Sequence, residues 1–324
     1  MRWNTYSDYL REKYGMSVFR IGVDALFSCP NRTKERKGGC AFCDGTGAVS
    51  VYQRAGEGGF RHDSEYNGIV AEGNTAYKGG MKEQIEKGKE FLKRRYKAEA
   101  YSLYFQSFTN TYAPLERLRE VYDSALEYGP FKELIISTRP DCLEDEKLCL
   151  IAGYKEKGLD VEIELGLQSA NDKTLEYINR GHDAACYLDA ARRVREKGLF
   201  LSTHVILGLP GEGMEDFMRT AEVVSLYSNA VKIHNLDIAG GTRFADEYFS
   251  GRIRLLSLDE YLEAVELFIA HLRPDIIIQR LKSETPSHRL IAPRDFPDKS
   301  KFIAMLEKKM EEDGLMEGSL YEKT

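Results

Sequence analysis

Three cysteines form a Cys-x10-Cys-x2-Cys array at Cys29, Cys40 and Cys43. A tight Cys-x2-Cys pair is typical of a metal site, because closely spaced thiolates can bind one metal centre. A closed zinc site takes four ligands, and the nearest further candidate is His62, in a glycine-rich segment. A cubane iron–sulfur cluster also normally takes four cysteines, so three would leave one iron open to a cofactor or substrate. The array alone leaves both interpretations open.

Six short β-branched or aromatic runs alternate with helical patterns, and these elements would position the cysteines. They are RIGVDAL (20–26), AYSLYF (100–105), ELIIS (133–137), VEIELGL (161–167), FLSTHVIL (200–207) and AVKIHNL (230–236). From the second run onward they start at intervals of 33, 28, 39 and 30 residues, close to the ~30 residues of a βαβ unit. We therefore predict an α/β fold, a partial (β/α)6 barrel of parallel strands. Cys29 follows the first run directly, so the array would lie at the C-terminal strand ends, where barrel active sites form.

The predicted barrel occupies residues 1–240, and a mainly helical C-terminal extension over 241–324 packs on it. Residues 44–80 contain nine glycines and interrupt the βα repeat, so we predict a long loop or small insertion there. The extension contains one further candidate strand at 275–279 and a helix near 298–313.

Composition excludes several classes of protein. The chain has 324 residues, 42% of them hydrophobic, with a net charge of −6, which excludes a disordered chain and a wholly basic nucleic-acid binder. No apolar run reaches the ~18 residues of a membrane span, and the first residues lack the apolar core of a signal peptide. We therefore expect no membrane association and a cytoplasmic location.

Two local basic segments stand out on this acidic chain. Residues 82–97 hold seven Lys/Arg against three Glu, and residues 280–301 hold six against three acids. Such segments are commonly solvated faces, and they are also where a phosphate backbone could dock.

Two longer segments resemble motifs of a known superfamily. ELGLQSANDKTLEYINRGHD (164–183) and HVILGLPGE (204–212) resemble the fourth- and fifth-strand motifs of radical S-adenosylmethionine (SAM) enzymes, specifically those most similar to the Elongator catalytic subunit, coproporphyrinogen dehydrogenase and the methylthiotransferases. The segments CPNR…GGCAFC, YFQSFTNTYAP, STRPD and RLIAP resemble the YhcC/YtqA-type branch, which shares the longer first cysteine gap. The similarity spans roughly residues 5–315.

This resemblance implies an enzyme with a [4Fe–4S] cluster and SAM as cofactors. Three cysteines would hold the cluster, SAM would bind its open iron, and a ferredoxin or flavodoxin would supply the low-potential electron. Reductive cleavage of SAM would give a 5′-deoxyadenosyl radical that abstracts hydrogen from substrate. Cys142, Cys149 and Cys186 fall outside any metal spacing, so no second cluster is expected.

The resemblance also assigns roles to individual residues. Cys29, Cys40 and Cys43 would be cluster ligands, Phe42 would lie beside the SAM adenine, and Asn31 is expected to shape the loop. Further candidates for SAM binding are Gln106, Thr109, Asn110, Ser137, Glu164, Gln168, Arg180 and Gly208.

Structural alternatives accompany several of these roles. Gln106, Thr109 and Asn110 could instead cap a turn. Glu164 could form a buried salt bridge with Arg180, because a buried carboxylate needs a partner.

His204 and His234 are expected to be satisfied core histidines.

The YhcC/YtqA-type branch resembles enzymes implicated in modifying wobble uridines of tRNA. We therefore predict tRNA as partner, with the 5-carboxymethylaminomethyl group of uridine 34 converted toward the aminomethyl form. One alternative is a radical SAM enzyme for a small molecule or peptide. A second is a non-enzymatic zinc protein that binds RNA.

Overall fold

The computed structural model describes residues 1–33, 38–45, 47, 50, 52, 60–63, 68–71 and 80–322, with the backbone alone at 60–63 and 68–71. Most of the predicted 44–80 insertion and the His62 side chain therefore lie outside the described residues.

The described strands build one large sheet and two small ones. They are β1 (Val18–Val23), β2 (Phe60–Asp63), β3 (Gly68–Ala71), β4 (Ala100–Phe105), β5 (Glu133–Thr138), β6 (Asp160–Gln168), β7 (Phe200–Leu207), β8 (Ala230–Asn235), β9 (Ile238–Ala239), β10 (Ile277–Arg280) and β11 (Leu290–Ala292). The large sheet has the order β1-β4-β5-β6-β7-β8-β10, and every neighbouring pair in it is parallel. The pairs β2–β3 and β9–β11 are antiparallel.

Ten α-helices occur among the described residues. They are α1 (Tyr6–Tyr14), α2 (Met81–Tyr96), α3 (Leu115–Leu126), α4 (Asp145–Glu156), α5 (Asp172–Tyr177), α6 (Ala184–Glu196), α7 (Met214–Tyr227), α8 (Arg243–Phe249), α9 (Leu258–His271) and α10 (Lys299–Glu312). Among the helices of the described part of the chain, none is long and apolar enough to cross a bilayer.

The sheet separates an apolar outer face from a polar inner face. On β6, Ile163 and Leu165 belong to the main hydrophobic core beneath the helices, whereas Glu162 and Glu164 alternate with them and point to the opposite side, as successive strand residues must. A parallel sheet usually buries apolar residues on both faces. Charged residues on the inner face therefore require specific partners there.

The inner face is concave. The Tyr104 hydroxyl on β4 lies 3.2 Å from the Lys232 ammonium on β8, although four strand spacings separate these strands, about 19 Å in a flat sheet. Contact across the sheet therefore requires it to curl into a partial barrel. The predicted fold is confirmed, and β10, from the 241–324 segment, adds a seventh strand to the predicted six.

The barrel has a seam between its two edge strands, β1 and β10. Along this seam the N-terminal segment forms a parallel bridge from Thr5 to Ile278, and α1 packs near both edges. Nearby, α2 packs on β1. In the C-terminal segment α9 packs on α7, and α10 packs on α9. The division at residue 240 stays a prediction.

Candidate cofactor site

The three clustered cysteines line one cavity of about 160 Å³ at the C-terminal ends of the strands. Cys29 follows β1, while the Cys43 amide donates to the Cys40 carbonyl over 2.9 Å and so closes a tight turn. The Ala41 amide donates to the Ile178 carbonyl over 2.8 Å, which ties this turn to the loop after α5. The Cys-x2-Cys pair thus lies over the barrel mouth.

Asn31 holds the cysteine loop and also reaches a thiol. Its Nδ2 donates over 2.8 Å to the carbonyls of Asn179 and of Arg180, and it lies 3.7 Å from the Cys40 sulfur. The expectation that Asn31 shapes the loop describes only part of these contacts. A donor directed at a sulfur is the kind of contact that stabilises a metal-bound thiolate.

Two buried arginines bring positive charge to the cysteine cavity. Arg180 Nη1 lies 3.6 Å from the Cys40 sulfur, and its Nη2 donates to the Gly166 carbonyl over 2.7 Å. Arg139 also lines the cavity and pairs with Asp141 over 2.7 Å. Both arginines keep one buried nitrogen without a partner among the described residues, Arg139 Nη1 and Arg180 Nε.

These features fit an anionic group in the cavity. Orphaned buried donors are costly unless a ligand accepts from them, and thiolates or a carboxylate would do so. Burial raises the pKa of the Cys43 thiol, although Arg32 opposes this, so the thiolate there needs a further positive partner, such as a metal centre.

The three cysteines are one ligand short of a closed zinc site. Among the described residues, no three His, Cys, Asp or Glu side chains are grouped closely enough to hold one metal ion. Zinc thiolates lie about 2.3 Å from a single centre, whereas a cubane cluster spreads its ligands over several iron atoms. Three thiolates suit a cluster with one open iron, whereas a closed zinc site would need a fourth ligand.

Five of the predicted SAM-binding residues line the same cavity. They are Phe42, Thr109, Ser137, Gln168 and Arg180. Gln168 ends β6 in the left-handed region, with φ of 77°. Gly166, two residues earlier, is constrained by its neighbours, since a Cβ there would lie 2.6 Å from Arg180 Nη2. The end of β6 is therefore shaped around the arginine.

The other predicted SAM-binding residues lie elsewhere. Asn110 is fully buried, and its Nδ2 donates over 2.9 Å to the carbonyls of Phe105 and Ser137. These hydrogen bonds match the alternative in which Asn110 caps a turn. Gly208, with φ of 93°, packs against Leu256. Gln106 faces a separate cavity along the seam, where its Nε2 lies 2.9 Å from the Ser50 hydroxyl.

The alternative in which Glu164 forms a buried salt bridge with Arg180 is wrong. Glu164 is fully buried in the barrel interior, and Arg180 binds Gly166 and Cys40 instead. Four other side chains contact the Glu164 carboxylate, namely Lys232 at 2.5 Å, Tyr104 at 2.6 Å, Arg20 at 2.8 Å and His204 at 2.9 Å. The two side chains are at different depths, because Arg180 lies in the loop after α5, beyond the C-terminal end of β6, while Glu164 lies within the strand.

The two carboxylates of β6 have opposite pKa shifts. Burial opposes ionisation of Glu164, but Lys232, Arg20 and His204 outweigh it, so its pKa lies well below its usual range. Burial raises the pKa of Glu162 to about 7, against the effect of Arg20 and with that of Glu164. Glu164 is therefore the fixed anion of the interior.

His204 connects the interior to the cofactor cavity. Its ring lines the cysteine cavity while its Nε2 contacts Glu164. His234 stacks obliquely near it, at 5.6 Å between ring centroids, and its Nε2 has no partner among the described residues. Sequence patterns did not predict these placements. They also did not predict the roles of Arg20, Tyr104, Arg139 and Lys232. The one usable signal was the presence of charged residues on predicted barrel strands.

The half-barrel with cysteines at its mouth defines a class of enzyme, and comparison with known proteins gives the family. A model described as the radical SAM superfamily matches residues 29–224, and one described as the radical SAM C-terminal domain matches residues 228–312. The chain belongs to the radical SAM superfamily, in its YhcC-type branch related to Elongator. It is therefore an enzyme that generates a 5′-deoxyadenosyl radical, with a [4Fe–4S] cluster and SAM as cofactors.

Individual relatives locate it within the superfamily. Protein YhcC of Escherichia coli is 32% identical over 319 residues, covering 98% of this chain and 95% of that protein. A tRNA uridine(34) acetyltransferase of Methanocaldococcus jannaschii is 26% identical over 187 residues, covering 56% of this chain and 33% of that protein. The structure of Methanocaldococcus infernus Elp3 has the same fold, with a TM-score of 0.63 at 20% identity, covering 73% of this chain and 60% of that one.

Proposed function

We propose that Cys29, Cys40 and Cys43 are the cluster ligands and that SAM occupies the same cavity. The observation that carries this is that all three cysteines line one cavity with buried, partly unpartnered arginines. Asn31 and Arg180 donate toward the Cys40 sulfur, which favours its thiolate form.

The chain's own residues would orient the cofactors and exclude water. Phe42 supplies an apolar wall, while Ser137, Gln168 and Arg139 supply polar groups suited to an amino-acid or ribose moiety. When bound, the cluster and SAM supply the radical that removes hydrogen from substrate. A ferredoxin or flavodoxin is the proposed electron donor.

For the substrate we propose wobble uridine 34 of tRNA, with its carboxymethylaminomethyl group converted toward aminomethyl. The N–CH2 bond of the carboxymethyl unit would break after two-electron oxidation, with SAM as the oxidant, and hydrolysis would release the unit as glyoxylate. Similarity to tRNA uridine(34) acetyltransferases over 56% of the chain supports an RNA substrate. The placement of the basic segments supports it too. Helix α2 packs on edge strand β1, and the second basic segment begins at Arg280, the last residue of edge strand β10, so each segment reaches one edge of the seam.

Tandem mass spectrometry of tRNA nucleosides from a deletion strain tests the substrate. We expect the carboxymethylaminomethyl nucleoside to accumulate and the aminomethyl form to fall, with restoration by the wild-type gene but not by a Cys43→Ala gene. An unchanged wobble-uridine profile would reject tRNA and favour a small molecule or peptide, which a test for stimulation of SAM cleavage by tRNA would corroborate.

Anaerobic reconstitution separates the enzyme from the zinc alternative. We expect about four irons per chain and absorbance near ~400 nm. One zinc and no colour would contradict the proposed ligand set.

A further inference from the structure

A cavity of about 590 Å³ opens along the seam of the barrel, between β1, β10 and α1. It is larger than the cysteine cavity, and β4 and β8 form its inner wall through Tyr104 and Lys232. Its upper wall includes Gly22 and Gln106, at the strand ends that face the cysteine loop. The cavity thus runs from the surface to the polar interior.

The charges that line this seam cavity are all positive. Five basic side chains line it, namely Arg11, Arg20, Lys232, Arg280 and Lys299, and none of its described lining residues is Asp or Glu. The chain as a whole carries a net charge of −6, so this distribution is opposite to the bulk composition. Cavities lined by one sign of charge concentrate ligands of the other sign.

The acidic partners of these cations lie behind or outside the cavity wall. From the interior, Glu164 contacts Lys232 and Arg20, and Glu162 contacts Arg20 at 3.2 Å. At the outer side, Asp8 contacts Arg11 at 2.9 Å, and Arg280 approaches Glu284 at 3.6 Å. The Arg20 Nε is buried and has no partner among the described residues. Burial lowers the pKa of Lys232 to about 7, although Glu164 opposes this, and Arg20 and Arg280 lower it further. An additional anion would relieve this crowding of positive charge.

The inner end of the seam cavity adjoins the cofactor site. Lys232 and Tyr104 line the seam cavity. Lys232 contacts one oxygen of Glu164, while Tyr104 and His204 both contact the other. His204 lines the cysteine cavity. Glu164 and His204 therefore lie between Lys232 and the cysteine cavity.

We propose that the seam cavity admits the substrate and that Lys232, at its inner end, binds a substrate carboxylate. Arg11 and Lys299, both exposed, would contact the phosphate backbone at its mouth. This inference rests on the proposed function, because the carboxymethylaminomethyl group carries the carboxylate in question. It makes Lys232 a specificity-determining residue: charge-assisted hydrogen bonds favour a carboxylate over its neutral amide.

Fluorescence anisotropy with the reconstituted enzyme tests the site. The probes are two labelled anticodon stem–loop RNAs, one with 5-carboxymethylaminomethyluridine at the wobble position and one with the corresponding carboxamide. We expect the carboxylate RNA to bind wild type about tenfold more tightly and the ratio to fall to near one in Lys232→Gln. Equal binding of the two RNAs by wild type, or an unchanged ratio in Lys232→Gln, overturns the proposal.

Variants at the mouth separate backbone binding from carboxylate binding. Replacing Arg11 and Lys299 together by Gln should weaken both RNAs equally and reduce the salt slope by about two. The control Lys197→Gln, an exposed residue after α6, should change neither quantity. A change in the carboxylate-to-amide ratio in the mouth variant, or an unchanged salt slope, would contradict the assigned positions.

A second readout uses wild type alone, in case Lys232→Gln fails to fold. Brief acetylation followed by peptide mass spectrometry should show protection of Lys232 by the carboxylate RNA and not by the carboxamide RNA; equal labelling overturns the proposal. If the enzyme prefers the carboxylate RNA in a Lys232-dependent way but does not convert it, the proposed reaction is rejected and the site is retained. Turnover without any Lys232-dependent preference would reject the site but retain the reaction.

Discussion

The cysteine cavity and the seam cavity are built in different ways. The cysteine cavity draws its three thiols from one stretch of fifteen residues, 29–43, whereas the seam cavity draws its charges from Arg11, Arg20, Lys232, Arg280 and Lys299. Local spacing exposes the first kind of site in the sequence. The second exists only because a curled sheet brings β1, β8 and β10 around one space.

The two regions also differ in how charge is compensated. In the cysteine cavity the arginines carry orphaned donors and face thiols. In the interior, Glu164 accepts contacts from four donors. The difference indicates that the donors of the cysteine cavity suit a bound ligand. The Glu164 network, by contrast, is largely satisfied within the protein and leaves positive charge on its seam side.

The largest expected effect comes from the cysteine array. Cys43→Ala should abolish SAM cleavage and cluster retention, because two thiolates would remain to hold a four-iron cluster that normally takes three or four. Iron content, absorbance and release of 5′-deoxyadenosine measure both properties. Cys149→Ala, at an exposed cysteine of α4, is the control and should retain both. Full SAM cleavage by Cys43→Ala would show that the cysteine cavity is not the cofactor site, and the comparison of the two cavities would fail.

The next effect sharpens the contrast within the interior. Glu164→Gln should destabilise the protein by about 3–5 kcal/mol, because breaking a buried ion pair leaves its cations uncompensated. Glu162→Gln is the matched control on the same strand, and it should cost less than half as much, because the pKa of Glu162 is already raised to about 7. Urea denaturation at pH 7 measures both. Equal losses would show that Glu164 is not the principal anion of the interior.

Asn31 tests the link between the cysteine loop and the barrel. Asn31→Ala removes two 2.8 Å hydrogen bonds and the contact with Cys40, and should cost about 1–3 kcal/mol and speed cluster loss in air. Asn31→Asp should be worse, because a carboxylate would face two carbonyls and a thiolate. The rate of bleaching near ~400 nm provides the measurement. Wild-type cluster lifetime in Asn31→Asp would show that the side chain serves the fold alone.

The smallest effect concerns Glu212, in the segment GLPGE that follows β7. Burial raises the pKa of Glu212 to about 7, Ser169 opposes this, and Asp216 raises it further. The folded state therefore holds this proton more tightly than the unfolded chain, so stability should fall as pH rises from about 4.5 to about 7. Glu212→Gln should lessen that decline, as thermal unfolding at pH 5 and pH 8 would show. An identical pH slope in the variant would remove Glu212 from the explanation.

Much of the fold could be predicted because local patterns agreed with the tertiary structure. The six predicted strands correspond to β1 and β4–β8, since each apolar run is flanked by turn residues and spaced as a βα unit. The candidate strand at 275–279 corresponds to β10, Ile277–Arg280. Its membership of the large sheet depended on closure around the inner face, which no local pattern encodes.

The candidate site could be predicted only in part. Thr109, Ser137 and Gln168 lie at strand ends or follow them closely and reach the cysteine cavity, as the parallel-strand rule requires. Arg180 reaches it from the loop after α5. Asn110 directly follows Thr109, yet its side chain turns inward to cap backbone carbonyls. Side-chain direction at a loop depends on backbone angles, and residue types do not fix these.

The sequence by itself determined the three-cysteine array, the βα repeat and hence the class of enzyme, because spacing along the chain sets both. Tertiary structure alone decided which cations surround Glu164 and which line the seam. Arg20 and Lys232 are separated by 212 residues of chain, yet both contact the same carboxylate. Such a contact follows from how many strands curl around the interior and where the sheet stops, and these are properties of the assembled barrel.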